Sequence, residues 1–370
     1  MAPQRPKLAD ALPKSVEPSV SQPNVPKPLY AALDLGTNSC RMLIAEPFGD
    51  KFRVVDSFSK TVQLGAGLEK TGRLSRASMN KTLHAMRICQ KKLRRHKVRK
   101  MRMVATEACR RARNGTALMR QIKRETGLNL DIINAEEEAR LAVVSCAPLV
   151  SQHAEQVLIV DIGGGSTELV WIDLTTVAPA NRRKAIMDLK HGLATDELTP
   201  DHAHVVDWIS VPLGVATLRE QFNDVEDDAG RFALMSLSFE EQLEAFAPYD
   251  LAHSVDGFQM IGTSGTVTTV AASHLGLRRY DRTKVDGLRL TSPQIEAVIA
   301  GYLRLGPEGR RNDPRIGRDR HALIMSGVAI LQALIRTWPT DKLSVADRGL
   351  REGLLYAQMS ADDMLEETQI

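Results

Sequence analysis

One local pattern occurs twice in this chain, and it constrains the fold more than any other feature. An apolar run at residues 157–160 leads into Asp161, three consecutive glycines, two hydroxyl residues and a second apolar run. The same layout surrounds Asp34, which lies 127 residues before Asp161. Each copy predicts an apolar strand, a tight turn and a second apolar strand. Because the pattern recurs at the scale of a domain, it predicts two similar half-domains that each contribute a turn to one cleft.

Both turns have a composition typical of phosphate loops. Glycines leave the backbone N–H groups unobstructed, and hydroxyl side chains add further donors for phosphate oxygens. A third turn of this kind follows a strand near residue 262. The candidate phosphate-binding residues are Asp34, Gly36, Thr37, Asn38, Ser39, Gly163, Gly164, Gly165, Ser166, Thr167, Gly262, Ser264 and Gly265. None of the turns is a Walker loop or a dinucleotide-binding fingerprint.

Acidic residues near the turns have two possible interpretations. Asp161 and Glu168 flank the second turn with carboxylates, the ligands that magnesium prefers. Residues 136–138 are three consecutive glutamates at the start of a predicted helix. Asn134 is the predicted N-cap of this helix, and Glu137 at the third helical position would complete a capping box. Acids are favoured in a first helical turn by the helix dipole, and one of them could also be a general base at the cleft.

Basic residues leave similar alternatives open. Three arginines occur within residues 110–113. They could form a solvated surface run, or the guanidinium group of one of them could bind phosphate through two parallel hydrogen bonds. Nine lysines and arginines lie between Arg87 and Arg102, either on the solvated face of a helix or as a track for a polyanion. The net charge of +4 does not by itself predict a nucleic-acid partner, and no aromatic residue in this segment could stack on bases.

Composition and periodicity predict an α/β protein. Of the 370 residues, 43% are hydrophobic and 25% charged, and predicted strands and helices alternate along the chain. We expect a disordered proline-rich tail at residues 1–28 and half-domains at 29–147 and 148–370. A loose hinge is expected at 148–156 and a surface excursion at 175–207. Without a secretory signal or a transmembrane segment, a cytoplasmic location and four reduced core cysteines are expected.

Six motifs occur in the order typical of one known family. They begin at residues 34, 105, 137, 161, 262 and 348, and read DLGTNS, ATEACR, EEARL, DIGGGSTE, GTSGT and RGLREG. In these motifs the chain resembles the exopolyphosphatase/guanosine pentaphosphate phosphohydrolase (Ppx/GppA) family over about residues 29–356.

The resemblance implies two ribonuclease-H-like domains of the sugar kinase/actin-type superfamily around an interdomain cleft. It also implies magnesium-dependent hydrolysis of the terminal phosphate of polyphosphate or of pppGpp, with no membrane or specific nucleic-acid partner and with a homodimer as the family-level expectation. Glu138 matches the catalytic glutamate, Asp161 and Glu168 the metal-associated acids, and Arg110 a phosphate-contacting arginine. Glu137 is then left with the capping role.

The chain departs from the family pattern at two positions. Thr217 stands where arginine is common, and Ala322 stands where an aspartate is expected. We also expect a short form without the helical HD-type domain of longer members. Two alternatives remain: an ATP-dependent small-molecule kinase of the same superfamily, and a sensor that binds polyphosphate or nucleotide without turnover. The sequence does not rank polyphosphate against pppGpp.

Overall fold

The computed structural model describes residues 28–189, 192–193, 199–248, 257–317 and 320–365. Most of the proline-rich tail therefore lies outside the described residues. The first sheet contains β1 (Tyr30–Leu35), β2 (Ser39–Phe48), β3 (Lys51–Thr61), β4 (Lys100–Ala105) and β5 (Asp131–Ile132), in the order β3-β2-β1-β4-β5. The first three strands are antiparallel neighbours, whereas β4 and β5 continue the sheet parallel to β1.

A second sheet repeats this topology. It contains β6 (Gln156–Ile162), β7 (Thr167–Asp173), β8 (His204–Val211), β9 (Phe258–Thr263), β10 (Arg289–Leu290) and β11 (Leu343–Ala346). Three antiparallel strands in the order β8-β7-β6 are followed by β9 and β11 parallel to β6, with β10 added antiparallel at the edge. The predicted α/β class and internal repeat are therefore confirmed.

Helices cover the two sheets. In the first half they are α1 (Leu68–Thr71), α2 (Arg76–His96), α3 (Glu107–Arg111), α4 (Gly115–Thr126) and α5 (Ala135–Cys146). In the second half they are α6 (Arg182–Asp188), α7 (Val215–Gln221), α8 (Asp228–Leu243), α9 (Gly265–His274), α10 (Arg282–Val285), α11 (Ser292–Asn312), α12 (Ile324–Thr337) and α13 (Leu350–Ala361). No helix in the described part of the chain is both long and apolar enough to cross a membrane.

Two helices pack on the sheet of the other half. Helix α5 buries Ala139 and Val143 against Val157 and Ile159 of the second sheet. Helix α13 buries a face containing Leu354 in one apolar cluster with strands of the first sheet. This exchange fixes the ends of α5 and α13 between the two sheets, where the cleft lies. The domain boundary after residue 147 stays a prediction.

Two segments that we expected to be loose contain buried residues in their described parts; residues 190, 191 and 194–198 lie outside the described residues. Val150 and Ala154, inside the predicted hinge, are fully buried. The backbone carbonyl of Val150 also accepts a hydrogen bond from Arg183. Within the predicted surface excursion, α6 buries Ala185 and Ile186, and a 3-10 helix precedes it. Alanine and isoleucine supply an apolar face that the many charged neighbours masked in the sequence.

The cysteines of the first half are core residues, and several of its basic residues are ion-paired. The four cysteines are free and buried, as expected of core thiols. In the basic segment of α2 and β4, Arg87, Lys92, Lys100 and Arg102 each form an ion pair with a carboxylate. Lys92 contacts Asp56 at 2.7 Å, and His96 contacts the same carboxylate at 2.9 Å. These pairs favour the interpretation of this segment as a solvated, ion-paired face.

Candidate active site

A cavity of about 180 Å³ lies at the carboxyl ends of the parallel strands in both sheets. Ligands in α/β sheets commonly bind at this edge, because the loops that follow parallel strands converge there. The predicted site residues that line the cavity are Asp34, Gly36, Thr37, Asn38, Ser39, Glu138, Asp161, Gly163, Gly164, Gly165, Ser166, Ser264 and Gly265. The structure thus brings together all three predicted turns and the candidate base.

The two glycine turns touch each other across the cleft. A Cβ on Gly164 would lie 3.2 Å from the backbone nitrogen of Asn38, and one on Gly165 would lie 2.6 Å from Oγ1 of Thr37. A side chain at either position would crowd the facing turn. Glycine therefore permits the close approach of the two turns.

Helix α7 orients the second turn. The backbone N–H groups of Val215 and Ala216 donate to the carbonyls of Gly163 and Gly164, at 3.0 and 2.8 Å. A trans peptide directs its N–H opposite to its carbonyl, so the N–H groups of the next two residues point away from α7. Because the turn lines the cavity, its amides are available to an anion there.

Thr217 ties the start of α7 to the same turn. Its Oγ1 accepts a hydrogen bond from the backbone N–H of Gly214 at 2.7 Å and lies 3.2 Å from the carbonyl of Gly165. The side chain is buried. The residue that departs from the family pattern therefore braces the turn, and it does not line the cavity.

Asp161 and Glu168 are register partners on β6 and β7. Oε1 of Glu168 accepts hydrogen bonds from Ser166 at 2.6 Å and from Ser210 at 3.0 Å, whereas its Oε2 is buried without a partner. Burial, and then the neighbouring Asp34, raises the pKa of Asp161 to about 6. Burial, and then Asp161, raises the pKa of Glu168 to about 7.

Glu138 is held at the cavity wall by an arginine. Oε2 of Glu138 lies 3.1 Å from Arg110, and Arg110 also donates to Glu107 and to the carbonyl of Ile133 at 2.9 Å. Burial and then the charge of Glu168 raise the pKa of Glu138 well above its usual range, although Arg110 opposes the shift. Oδ1 of Asn134 caps the helix by accepting from the N–H of Glu137, whose carboxylate contacts Arg102 instead of closing the predicted capping box.

Three predicted phosphate-binding residues lie off the cavity wall. Thr167 is buried and donates to the carbonyl of Leu213. Gly262 lies inside β9, where a Cβ would be 3.1 Å from the side chain of Val267, so it permits strand–helix packing. Arg110 is engaged by carboxylates, as described above. The structure shows these residues in packing and positioning contacts, and their contacts with phosphate stay a prediction.

Four arginines that were not among the predicted site residues line the cavity. Arg41 is the register partner of Asp34, and Arg320 donates to the carbonyl of Gly265 and to Oγ1 of Thr269. Among the described residues, neither has a carboxylate within 4.0 Å. Arg348 and Arg351 also line the cavity, and Arg348 pairs with Asp286 at 2.7 Å. The repeat contained the signal for Arg41, which follows Asp34 by the same seven residues that separate Glu168 from Asp161.

The buried acids suit magnesium in part. Oε2 of Glu168 is a buried oxygen without a donor, and mutual repulsion of Asp34, Asp161 and Glu168 would be relieved by a cation. Among the residues that the structure describes, however, no three acidic, histidine or cysteine side chains form a ready-made metal cluster. Magnesium usually keeps water and takes one or two carboxylates plus substrate phosphates, so this donor set fits that mode.

The chain has two α/β halves with the same sheet topology, and glycine turns, buried carboxylates and arginines line the cleft between them. This combination defines a class of proteins that bind phosphate groups. The family model of the Ppx/GppA phosphatase family matches residues 43–362. The chain belongs to the Ppx/GppA phosphatase family.

Individual relatives are distant. The chain is 28% identical over 330 residues to a guanosine-5'-triphosphate,3'-diphosphate pyrophosphatase of Aeromonas salmonicida, covering 89% of this chain and 59% of that protein. The solved Aquifex aeolicus family member has a TM-score of 0.70 and 27% identity, covering 91% of this chain and 99% of that one. An exopolyphosphatase from Cytophaga hutchinsonii has a TM-score of 0.74 at 21% identity, covers 90% of this chain and 98% of that one, and supports the fold alone.

Proposed function

We propose that this protein hydrolyses a terminal phosphoanhydride by attack of water, releasing orthophosphate from inorganic polyphosphate or converting pppGpp to ppGpp. The observation that carries this proposal is the position of Glu138. Its carboxylate lines the same cavity as the two glycine turns and is held there by Arg110. A base opposite two phosphate loops is the arrangement that activation of water requires.

Glu138 accepts the proton of the attacking water in this proposal. A raised pKa makes a carboxylate a stronger base, and the charge of Arg110 favours its ionised form. Arg110 acts as a positioning residue, since its remaining donors are used by Glu107 and by a backbone carbonyl.

The turns and arginines bind the phosphate oxygens. The amides of Gly164 and Gly165, and the side chains of Ser39 and Ser166, offer donors from both halves. Arg41 and Arg320 supply positive charge for the leaving phosphates. Asp161 and Glu168 would hold magnesium, which supplies charge neutralisation on the phosphate oxygens when bound.

The substrate class is inferred from the cavity and from relatives. Arg41 and Arg320 line the cleft without a carboxylate within 4.0 Å among the described residues, and the Aeromonas relative is named for activity on a guanosine pentaphosphate. A side-by-side assay of phosphate release from polyphosphate and from pppGpp, with magnesium, tests the proposal. Turnover of at least one substrate is expected. Tight binding of both without release would contradict it and would favour a sensor.

A further inference from the structure

A second cavity of about 170 Å³ lies in the second half, behind the wall of the active-site cleft. It is enclosed by α7, α8, the end of α11 and the residues at the start of α12. Its charged lining consists of Arg219, Asp228, Arg231, Arg310 and Arg311, together with His321.

The charge in this cavity is not balanced. Arg310 is buried and donates to both carboxylate oxygens of Asp228, at 2.8 and 2.7 Å, so this pair is neutral. For the other three arginines, no carboxylate lies within 4.0 Å among the residues that the structure describes. Arg231 reaches only the carbonyl of Glu226, at 3.4 Å. Three arginines without a carboxylate partner in the described part of the chain therefore line one small volume; Arg231 is half-buried, and Arg219 and Arg311 are exposed.

Two donors in this cavity lack acceptors. The Nε atoms of Arg231 and Arg310 are buried, and neither has a hydrogen-bond partner among the residues that the structure describes. The side chain of Arg310 is only 4% exposed. Buried donors without acceptors are rare because their desolvation is not repaid, and an oxyanion would supply the missing acceptors.

A break in α11 brings two of the arginines to the cavity. Gly306 has φ 62°, a conformation that favours glycine, and Pro307 follows it inside the helix. This kink redirects the last turn, which carries Arg310 and Arg311. The positive φ of Gly306 and the missing N–H of Pro307 account for this break.

The cavity and the cleft share two walls. Arg320 and Leu323 line the cleft, whereas His321 and Ala322 line the second cavity. Along α7, Val215 lines the cleft and Arg219, one turn later, lines the cavity. Because Val215 and Arg219 lie on the same face of α7, the two spaces are neighbours about one helical turn, roughly 6 Å, apart along this helix.

We propose that the second cavity is an oxyanion site that binds a phosphate group of a phosphate-rich compound. Arginine is suited to this ligand because its planar fork matches phosphate oxygens. The phosphate has two possible sources: an inner phosphate of a chain whose end occupies the cleft, or a separate small phosphate compound. Only the first source rests on the proposed function.

Isothermal titration of the full-length Glu138→Gln protein tests the site, because binding is measured with or without turnover. The probes are inorganic pyrophosphate, which is too short to span both cavities, and long-chain polyphosphate. Arg231→Gln/Arg311→Gln removes two charges, and Ala322→Asp adds a carboxylate at an exposed wall position. Arg289→Gln/Arg304→Gln, at exposed positions outside the cavity, is the charge-matched control.

If a separate phosphate compound is the ligand, pyrophosphate binds at two sites, and both cavity variants lose one of them. If the ligand is the substrate chain, the Kd for long-chain polyphosphate rises about tenfold or more in both cavity variants, with pyrophosphate unaffected. The control keeps the parent's behaviour in either case. Parent-like binding of both probes by the two cavity variants, with thermal unfolding confirming that they are folded, overturns the proposal.

Discussion

Asp161 and Glu168 lie directly opposite each other in the antiparallel ladder of β6 and β7. In the first half, Asp34 and Arg41 occupy the equivalent positions on β1 and β2. Opposite residues in such a ladder have Cβ atoms about 5 Å apart and share a face. The repeat has therefore produced an acid–acid pair on one side of the cleft and an acid–arginine pair on the other, so the two halves differ in charge at matched places.

The Glu138 assignment predicts a large loss of rate from a nearly isosteric change. Glu138→Gln keeps the bond to Arg110 possible but removes the base, so kcat should fall about a hundredfold or more. Glu137→Gln is the matched control, because that carboxylate contacts Arg102 at the surface. Steady-state phosphate release checks both. Equal losses in the two variants would remove Glu138 from the mechanism.

The acid pair predicts a change in metal requirement. Asp161→Asn and Glu168→Gln should each raise the magnesium concentration that gives half-maximal rate, since each removes an anionic oxygen. A magnesium titration of phosphate release measures this directly. Unchanged activity of the wild type in excess EDTA would show that these acids serve another purpose.

The raised carboxyl pKa values predict an unusual dependence of stability on pH. Asp161 has a folded pKa of about 6 against a reference value of 3.8, and Glu168 about 7 against 4.5. In this window the folded state holds protons that the unfolded state releases, so these groups make the free energy of unfolding fall as pH rises from about 4 to 7. Denaturant unfolding of metal-free wild type and Asp161→Asn measures it, and the variant should show a smaller fall. Parallel curves would contradict the shift.

Thr217 predicts a stability effect away from the cavity wall. Thr217→Val keeps the shape but leaves the buried N–H of Gly214 without its acceptor, which should cost about 1–3 kcal/mol. Because this bond braces the second glycine turn, KM should also rise. Thr283→Val, at an exposed site on α10, is the control for the substitution itself. Wild-type stability in Thr217→Val would show that the brace contributes nothing.

The basic face of α2 predicts no preference for chain length. Changing Lys91, Lys92, Arg94 and Arg95 to Gln should alter kinetics on short and long polyphosphate in parallel, at low and high salt. A solvated face has no extended contact with the chain, and Lys92 is already paired with Asp56. A selective, salt-sensitive loss on long chains would instead support a polyanion track.

The repeated motif was enough to predict the sheets and the turns, because strand periodicity and glycine clusters are local signals. Helix α4 ends at Gly127 in the left-handed conformation, and Asn134 caps α5, as the sequence indicated. The exchange of α5 and α13 between the sheets could not be predicted, since an apolar helix face does not indicate which sheet it covers.

The site was predictable where the chemistry is local and was missed where it is assembled from distant elements. The acids and glycines of the turns lie next to each other in sequence. Arg320, in contrast, reaches the cavity from the segment before α12, and its contact with Gly265 joins residues 55 positions apart. The ion pair of Arg110 with Glu138 could not be predicted from local sequence either, because only the fold brings the two residues together.

Hydrolysis in ¹⁸O-labelled water tests the central claim most directly. If Glu138 activates water for attack on a terminal phosphoanhydride, orthophosphate released from polyphosphate or pppGpp should carry one ¹⁸O atom from solvent, and Glu138→Gln should lower the rate of its formation about a hundredfold or more. Phosphate that passes from ATP to a small acceptor without solvent oxygen, or labelled phosphate formed at the same rate by both proteins, would contradict it.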